Sequence, residues 1–321
     1  MRAAARRFPL AVRRREDLAV PRLEIAVPGI DLTSVLGPVA MVRRDPTVRL
    51  RPGRLDRATL TPDGPVALSV TWRGGGERSA EASVEAWGEG ADWALDRADR
   101  LLGLADDVDA FDPRDELVRE LWRRRPGLRL TRTGTLWHDL AWLIVQQRVT
   151  TVDASLQWRR LVSALGEPAP GPLELRLPPT ATAVAARPYH VFHRLGIERA
   201  RADRLRIAAA EVGRAEQLVD GPYDAARPRL EAIPGVGPWT TGYLAAHTWG
   251  DPDAVIVGDH GLPGVVGWVL DGAAGADDAR MLELLEPHRP QRYRVLRLLL
   301  GAGSRPPRRH HRARRVDIRG R

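Results

Sequence analysis

The sequence predicts a mostly α-helical protein with an N-terminal α+β domain. Two contrasts carry the prediction. Residues 23–90 alternate short β-like runs with turns, whereas from Asp115 onward apolar residues recur at helical spacing. Within the helical part, Leu230-Glu231-Ala232-Ile233-Pro234-Gly235-Val236-Gly237-Pro238-Trp239-Thr240-Thr241-Gly242-Tyr243 reads as helix, glycine hairpin, helix. A lone acid, Asp259, follows sixteen residues after Tyr243.

Taken in order, residues 23–27 and 66–72 are the clearest strands, the second closed by Gly74-Gly75-Gly76, and residues 80–87 alternate again. Residues 93–104 read as a helix with Leu95, Ala98, Leu101 and Leu102 on one face. In the helical part Leu117, Leu121 and Trp122 form one stripe, and Leu136, Leu140, Leu143 and Ile144 another. Helices are expected over 156–165, 200–212, 224–233, 238–249, 262–270, 276–285 and 292–300, with a proline-rich linker over 166–172. The segment 305–321 lacks an apolar face and is expected to be flexible. The expected organisation is therefore a domain over 1–108, a helical domain over 109–303 and a basic tail over 304–321.

Composition narrows the chemistry. No cysteine is present, which excludes disulfides, thiolate zinc sites and an iron–sulfur cluster. All fifty basic residues are arginine, so no lysine amine can form a Schiff base. Net charge is +9, yet residues 1–22 carry +5 and residues 305–321 carry +7, leaving the body at −3. Basic ends of this kind bind nucleic acid electrostatically or remain solvated. No apolar run reaches membrane-spanning length and no secretory core follows the charged start, so an intracellular, cytoplasmic protein is expected.

In the hairpin, Pro234 stops the first helix, Gly235 and Gly237 are expected to supply positive φ, and Pro238 suits the first turn of the next helix. Backbone N–H groups beside a helix start form an anion site suited to a nucleic-acid phosphate. A dinucleotide fingerprint does not fit, because Thr240 stands at the third-glycine position.

This stretch resembles the helix-hairpin-helix superfamily of DNA glycosylases, and within it the alkylpurine branch, the 3-methyladenine DNA glycosylase II type. The likeness includes the segment from Gly250 to Asp259, Ile144-Val145-Gln146-Gln147-Arg148-Val149 and Leu195-Gly196-Ile197-Glu198-Arg199-Ala200-Arg201-Ala202, and runs from about residue 110 to 303. The resemblance implies a helix-hairpin-helix glycosylase fold and excision of alkylated purines (3-methyladenine or 7-methylguanine type) from double-stranded DNA by a monomer without lyase activity. It makes Asp259 the catalytic carboxylate, opposing positive charge on the sugar. It places Trp239 and Tyr243, four apart on one helical face, in the base pocket, with Trp142 as a further wall. Trp137 and Trp268 are weaker wall candidates. Gly235, Val236 and Gly237 match the phosphate-binding hairpin, which in the family often holds a monovalent cation; no other cofactor and no catalytic metal are expected. Gln147 is the candidate to fill the gap left by the flipped base. His260 and Gly261 depart from the larger residues that relatives carry there, which leaves the preferred lesion open. Two other readings fit the same residues. One is a glycosylase for a deaminated or bulky-alkylated base. The other is a non-catalytic DNA-binding module in which Asp259 only shapes a turn.

Overall fold

The computed structural model describes residues 20–73 and 81–303, with Arg13, Arg14 and Pro306. The N-terminal part is a six-stranded antiparallel sheet in the order β1-β2-β6-β5-β4-β3. Its strands are β1 Arg13–Arg14, β2 Arg22–Ala26, β3 Val48–Arg51, β4 Arg54–Thr61, β5 Gly64–Arg73 and β6 Glu81–Trp87. The expected strands are present. Three more, β1, β3 and β4, were not singled out; in β4, Arg54, Asp56 and Arg57 interrupt the apolar alternation. The expected glycine closure at 74–76 lies outside the described residues.

Short helix α1, Leu32–Leu36, and helices α2, Ala91–Asp96, and α3, Ala98–Leu101, cover the sheet. Leu23, Ile25, Val70, Val84, Leu95 and Leu102 are buried between these layers. The single helix expected over 93–104 is thus two. Arg97 leaves helical geometry at φ −114, and its guanidinium lies over the Trp93 ring at 4.5 Å while bonding Asp220 at 2.7 Å.

The helical part comprises α4 Glu116–Arg123, α5 Leu136–Gln146, α6 Thr151–Leu165, α7 Ala181–Ala185, α8 Tyr189–Arg194, α9 Arg199–Glu211 and α10 Gly213–Glu216. There follow α11 Tyr223–Glu231, α12 Pro238–Leu244, α13 Leu262–Asp271, α14 Asp278–Leu285 and α15 Arg292–Gly301. Helix α5 is apolar nearly all round and forms the centre of the larger core, against Trp158, Leu161, Leu205 and Leu230. A second core gathers α4 and α13 to α15. In α4 the buried face is Val118 and Leu121, while Leu117 is 39% exposed, so the expected stripe is rotated by one residue. Helix α6 starts five residues before the expected point because Thr150 caps it, accepting the Asp153 N–H at 3.2 Å. The helix expected over 238–249 changes to a wider π-turn over Ala245–Trp249 before Gly250 ends it at φ +67.

The end of the expected linker lies against the sheet, Gly171 so close to Trp87 that a Cβ would lie 2.4 Å from its ring, and just after it Leu173, Leu175 and Leu177 cover Ala58 and Ala67. The opposite face of β4 meets α5 through buried polar groups. Thr59 bonds the His138 Nδ1 at 2.9 Å, and Arg57 donates to Thr135 at 2.7 Å. Arg294 of α15 makes a bidentate pair with Asp106 at 2.5 and 2.8 Å, tying the last helix to the end of the N-terminal layer.

Candidate active site

The hairpin joins α11 to α12. Gly235 has φ +90, and a Cβ there would lie 2.6 Å from the aliphatic part of Arg204. Gly237 does not have the expected positive φ; at φ −109, ψ −173 it is ordinary extended backbone with open space around it. The Val236 N–H closes the turn on the Ile233 carbonyl at 3.0 Å, and the Val236 side chain is buried. Only part of the hairpin backbone therefore faces outward. The Gly237 carbonyl accepts the Thr241 N–H at 3.0 Å, and the Gly235 carbonyl accepts the Gln147 amide at 2.9 Å. Two of the three carbonyls thus each accept a hydrogen bond from within the protein.

Gln147, at the end of α5, is held firmly. Its amide also donates to Thr240 at 3.2 Å and accepts from Arg204 at 3.1 Å. The next residue, Arg148, is exposed and takes φ +57, uncommon for a residue with a Cβ.

Helix α12 presents Trp239 and Tyr243 on one side, their rings 5.0 Å apart and nearly edge to face. The row continues to His247, 5.5 Å from Tyr243, and on to Tyr293 of α15, whose hydroxyl is 2.9 Å from His247 Nε2. Burial, and after it Arg297, lowers the His247 pKa to about 3, so the ring is neutral. Burial, and after it the Asp259 charge, pushes the Tyr243 hydroxyl well above its ordinary range, so it stays protonated and can donate.

Asp259 stands at the end of this row. Its Oδ2 accepts Trp239 Nε1–H and Tyr243 O–H, each at 3.1 Å. Its Oδ1 accepts the N–H groups of Gly261 at 2.8 Å and Leu262 at 3.0 Å, at the start of α13. The preceding Gly258 has φ +84, and its N–H donates to Asp278 Oδ2 at 2.9 Å. Four donors and a restrained backbone thus fix a half-buried carboxylate beside two aromatic rings.

Trp142 lies elsewhere. It is buried, packs on Trp158 at 6.1 Å and lines a cavity between the sheet and α5. Trp137 is core, its Nε1 bonded to the Pro179 carbonyl at 2.7 Å, and Trp268 is half-buried on α13. Sequence reasoning missed His247, Tyr293, Asp278 and Arg204. His247 was within reach, four residues after Tyr243 on the same helical side. The other three come from separate helices, and no local pattern marks them. Among the described residues no group of three His, Cys, Asp or Glu could hold a metal ion. No described helix is long and apolar enough to cross a membrane.

The architecture is that of the helix-hairpin-helix DNA glycosylases. A 3-methyladenine DNA glycosylase from Archaeoglobus fulgidus superposes with a TM-score of 0.71 at 19% identity, covering 86% of this chain and 97% of that one. An 8-oxoguanine glycosylase/lyase from Clostridium acetobutylicum, in complex with DNA, superposes with a TM-score of 0.66 at 12% identity, covering 91% and 97%. At those identities the likeness is one of fold. No protein-family profile matches the chain. In sequence it is 32% identical over 177 residues to the Mycobacterium tuberculosis protein described as "Probable bifunctional transcriptional activator/DNA repair enzyme AlkA". That match takes in 53% of this chain and only 35% of the longer relative. The chain thus shares its fold with solved DNA glycosylases, and just over half of its sequence is similar to about a third of that longer relative.

Proposed function

We propose that the chain is a monofunctional DNA glycosylase that removes alkylated purines, of the 3-methyladenine and 7-methylguanine type, from duplex DNA in base excision repair. The observation that carries this reading is the Asp259 carboxylate. A structural aspartate would need only Oδ1, which serves the first N–H groups of α13. Oδ2 is a second, separate feature, bonded to the Trp239 N–H and the Tyr243 O–H.

Breaking the bond from base to C1′ develops positive charge on the sugar, and a fixed carboxylate beside it lowers the barrier. An alkylated purine already carries positive charge and leaves without a general acid. Trp239 and Tyr243 offer electron-rich faces to such a cation, worth on the order of 1 kcal/mol or more when water is excluded. Outward N–H groups of the hairpin around Gly235 to Gly237 hold a phosphate. The gap-filling group comes from the end of α5. Gln147 reaches it at the cost of its bonds to the hairpin, whereas Arg148 already projects. Lyase chemistry through a Schiff base is closed to a chain that has no lysine amine.

A panel of duplexes with single lesions tests the reading. The expected product is a free alkylpurine and an intact strand that breaks only after alkali, with no adduct trapped by borohydride. Release of no base from any of the duplexes overturns it, and a trapped adduct overturns monofunctional action.

A further inference from the structure

Helix α6 begins just after Arg148, the residue that on the proposed function projects toward the duplex. Segment 41–45 of the N-terminal layer is fastened to the first turns of that helix. The Arg43 N–H donates to Ser155 Oγ at 3.4 Å. Asp45 Oδ1 accepts Trp158 Nε1–H at 3.2 Å and the Thr47 N–H at 2.8 Å. Ser155 and Trp158, three apart on α6, thus hold the segment at two points. Ser155 follows the Thr150 cap by five residues, about 7.5 Å along the helix axis at a rise of about 1.5 Å per residue.

Among the described residues, three that are not glycine take a positive φ, and two of them are Arg44 and Arg148, each at φ +57. Residues with a Cβ seldom adopt that backbone, and where they do it is often at a ligand clamp. Arg43, Arg44 and Arg148 are all exposed, and among the described residues their side chains make no hydrogen bond or ion pair. Arginines elsewhere on the surface find acids: Arg227 pairs with Glu231, Arg280 with Asp271 and Arg289 with Glu286, each at 2.8 Å. The acids of this stretch are engaged, Asp45 as above and Asp153 by the Thr150 hydroxyl at 2.6 Å. On a body whose charge sums to −3, three guanidinium groups therefore stand close together without a counter-charge.

We propose that the sheet layer is part of the DNA interface, with Arg43 and Arg44 gripping backbone phosphates of the duplex beside the lesion. The inference rests on the glycosylase reading, which brings the turn between α5 and α6 to the duplex, and adds a contact that the hairpin does not supply. Phosphates of one strand recur about every 3.4 Å along the duplex axis, so about 7.5 Å spans some two nucleotides. A strand that passes Arg148 along α6 brings its next phosphates level with Arg43 and Arg44. A guanidinium fork takes a phosphate through two parallel N–H bonds. Contacts of that kind fix the protein on the duplex and read neither sequence nor lesion. The pair therefore serves grip and register, while the chemistry stays at Asp259.

The test measures binding of the full chain to a short undamaged duplex over a range of salt, together with single-turnover release of an alkylpurine at saturating enzyme. The double variant Arg43→Ala, Arg44→Gly removes both charges, and glycine suits φ +57. Its slope of log K against log salt is expected to flatten by about 1.8, that is about 0.9 for each of two phosphates. Its release rate at saturation is expected to stay within about twofold of wild type, which also shows that it folds. The double variant Arg43→Lys, Arg44→Lys keeps the charges and is expected to keep the wild-type slope. A slope unchanged by the first variant, or lost equally in the lysine variant, overturns the inference, and base release by the wild type leaves the glycosylase reading standing. A release rate lost at saturation with the slope intact also overturns it, because the arginines then serve the fold. Wild-type protein that neither binds duplex in a salt-dependent way nor releases a base overturns both.

Discussion

Replacing Asp259 with asparagine separates its two jobs. The asparagine carbonyl can still accept the Gly261 and Leu262 N–H groups, now at 2.8 and 3.0 Å, so the start of α13 is kept. The other oxygen becomes an NH2 that faces the Trp239 N–H and the Tyr243 O–H, both now donating at 3.1 Å. The tyrosine hydroxyl can rotate to accept; the indole N–H cannot. The larger effect is the lost charge. Two unit charges about 4 Å apart interact by about 4 kcal/mol at an effective dielectric of 20, and that is about a thousandfold in rate. The assay is single-turnover release of an alkylpurine at saturating enzyme, with binding of the same duplex measured alongside. The expected result is a rate lower by about three orders of magnitude, with binding within a few-fold of wild type. A rate within threefold of wild type refutes the assignment of the sugar-facing charge to Asp259.

Asp278→Ala leaves the Gly258 N–H without its acceptor at 2.9 Å and loosens the turn that carries Asp259; single-turnover rate is expected to fall about tenfold at unchanged DNA affinity. Asp278→Asn keeps an acceptor and should restore most of it, and equal rates for the two variants would refute a positioning role. His138 and His247 are neutral in the fold, both pushed below the ordinary 6.5 mainly by burial. The unfolded chain therefore takes up protons first, and stability present above pH 6.5 should fall by up to about 1.4 kcal/mol per pH unit for each histidine below it. Buried Asp45 and Asp139 are raised by burial and work in the opposite sense nearer pH 4. A melting temperature that does not drop between pH 6.5 and 5.5 contradicts this balance. Deleting 305–321, which lie almost wholly outside the described residues, removes eight arginines and one acid. If they touch phosphates, the slope of log K against log salt flattens by about 0.9 for each phosphate no longer neutralised, and parallel lines would make the tail a bystander.

The grouping of the candidate site residues was more legible in the sequence than the scaffold around it, and the reason is distance along the chain. Trp239 and Tyr243 share a helical turn, and the hairpin fixes how α12 departs, so local spacing is nearly enough to place them. Asp259 comes close because Gly258 turns the chain back at φ +84 and Oδ1 anchors on α13. By contrast, the wall behind the row is assembled from β4, α5, the π-turn and α15. Arg57 in a strand and His138 in a helix look like ordinary polar interruptions until the two layers close on each other. Strand β4 was missed for the same cause. Its polar residues at 54, 56 and 57 break the apolar alternation, yet both its faces are covered, one by α5 and the other by Leu173, Leu175 and Leu177. Gly237 shows the opposite error, a glycine read as a conformational need where the backbone is plain.

The carboxylate's division of labour also explains why the acid lies on a turn between two elements. On a helix face its two oxygens would be interchangeable by side-chain rotation. Here Oδ1 is committed to two backbone N–H groups, so Oδ2 cannot swing away, and the donors on it are side chains of a different helix. The aromatic pair is therefore more than a wall. The rings meet nearly edge to face at 5.0 Å, with no room for a base between them, and both donate to Asp259. A base must then lie against the outer side of the row, and its charge approaches Oδ2 from the face that Trp239 and Tyr243 leave uncovered. On the proposed function the same two residues would hold the negative charge in place and attract the cation it acts on, so that removing Oδ2's charge should cost rate far more than affinity.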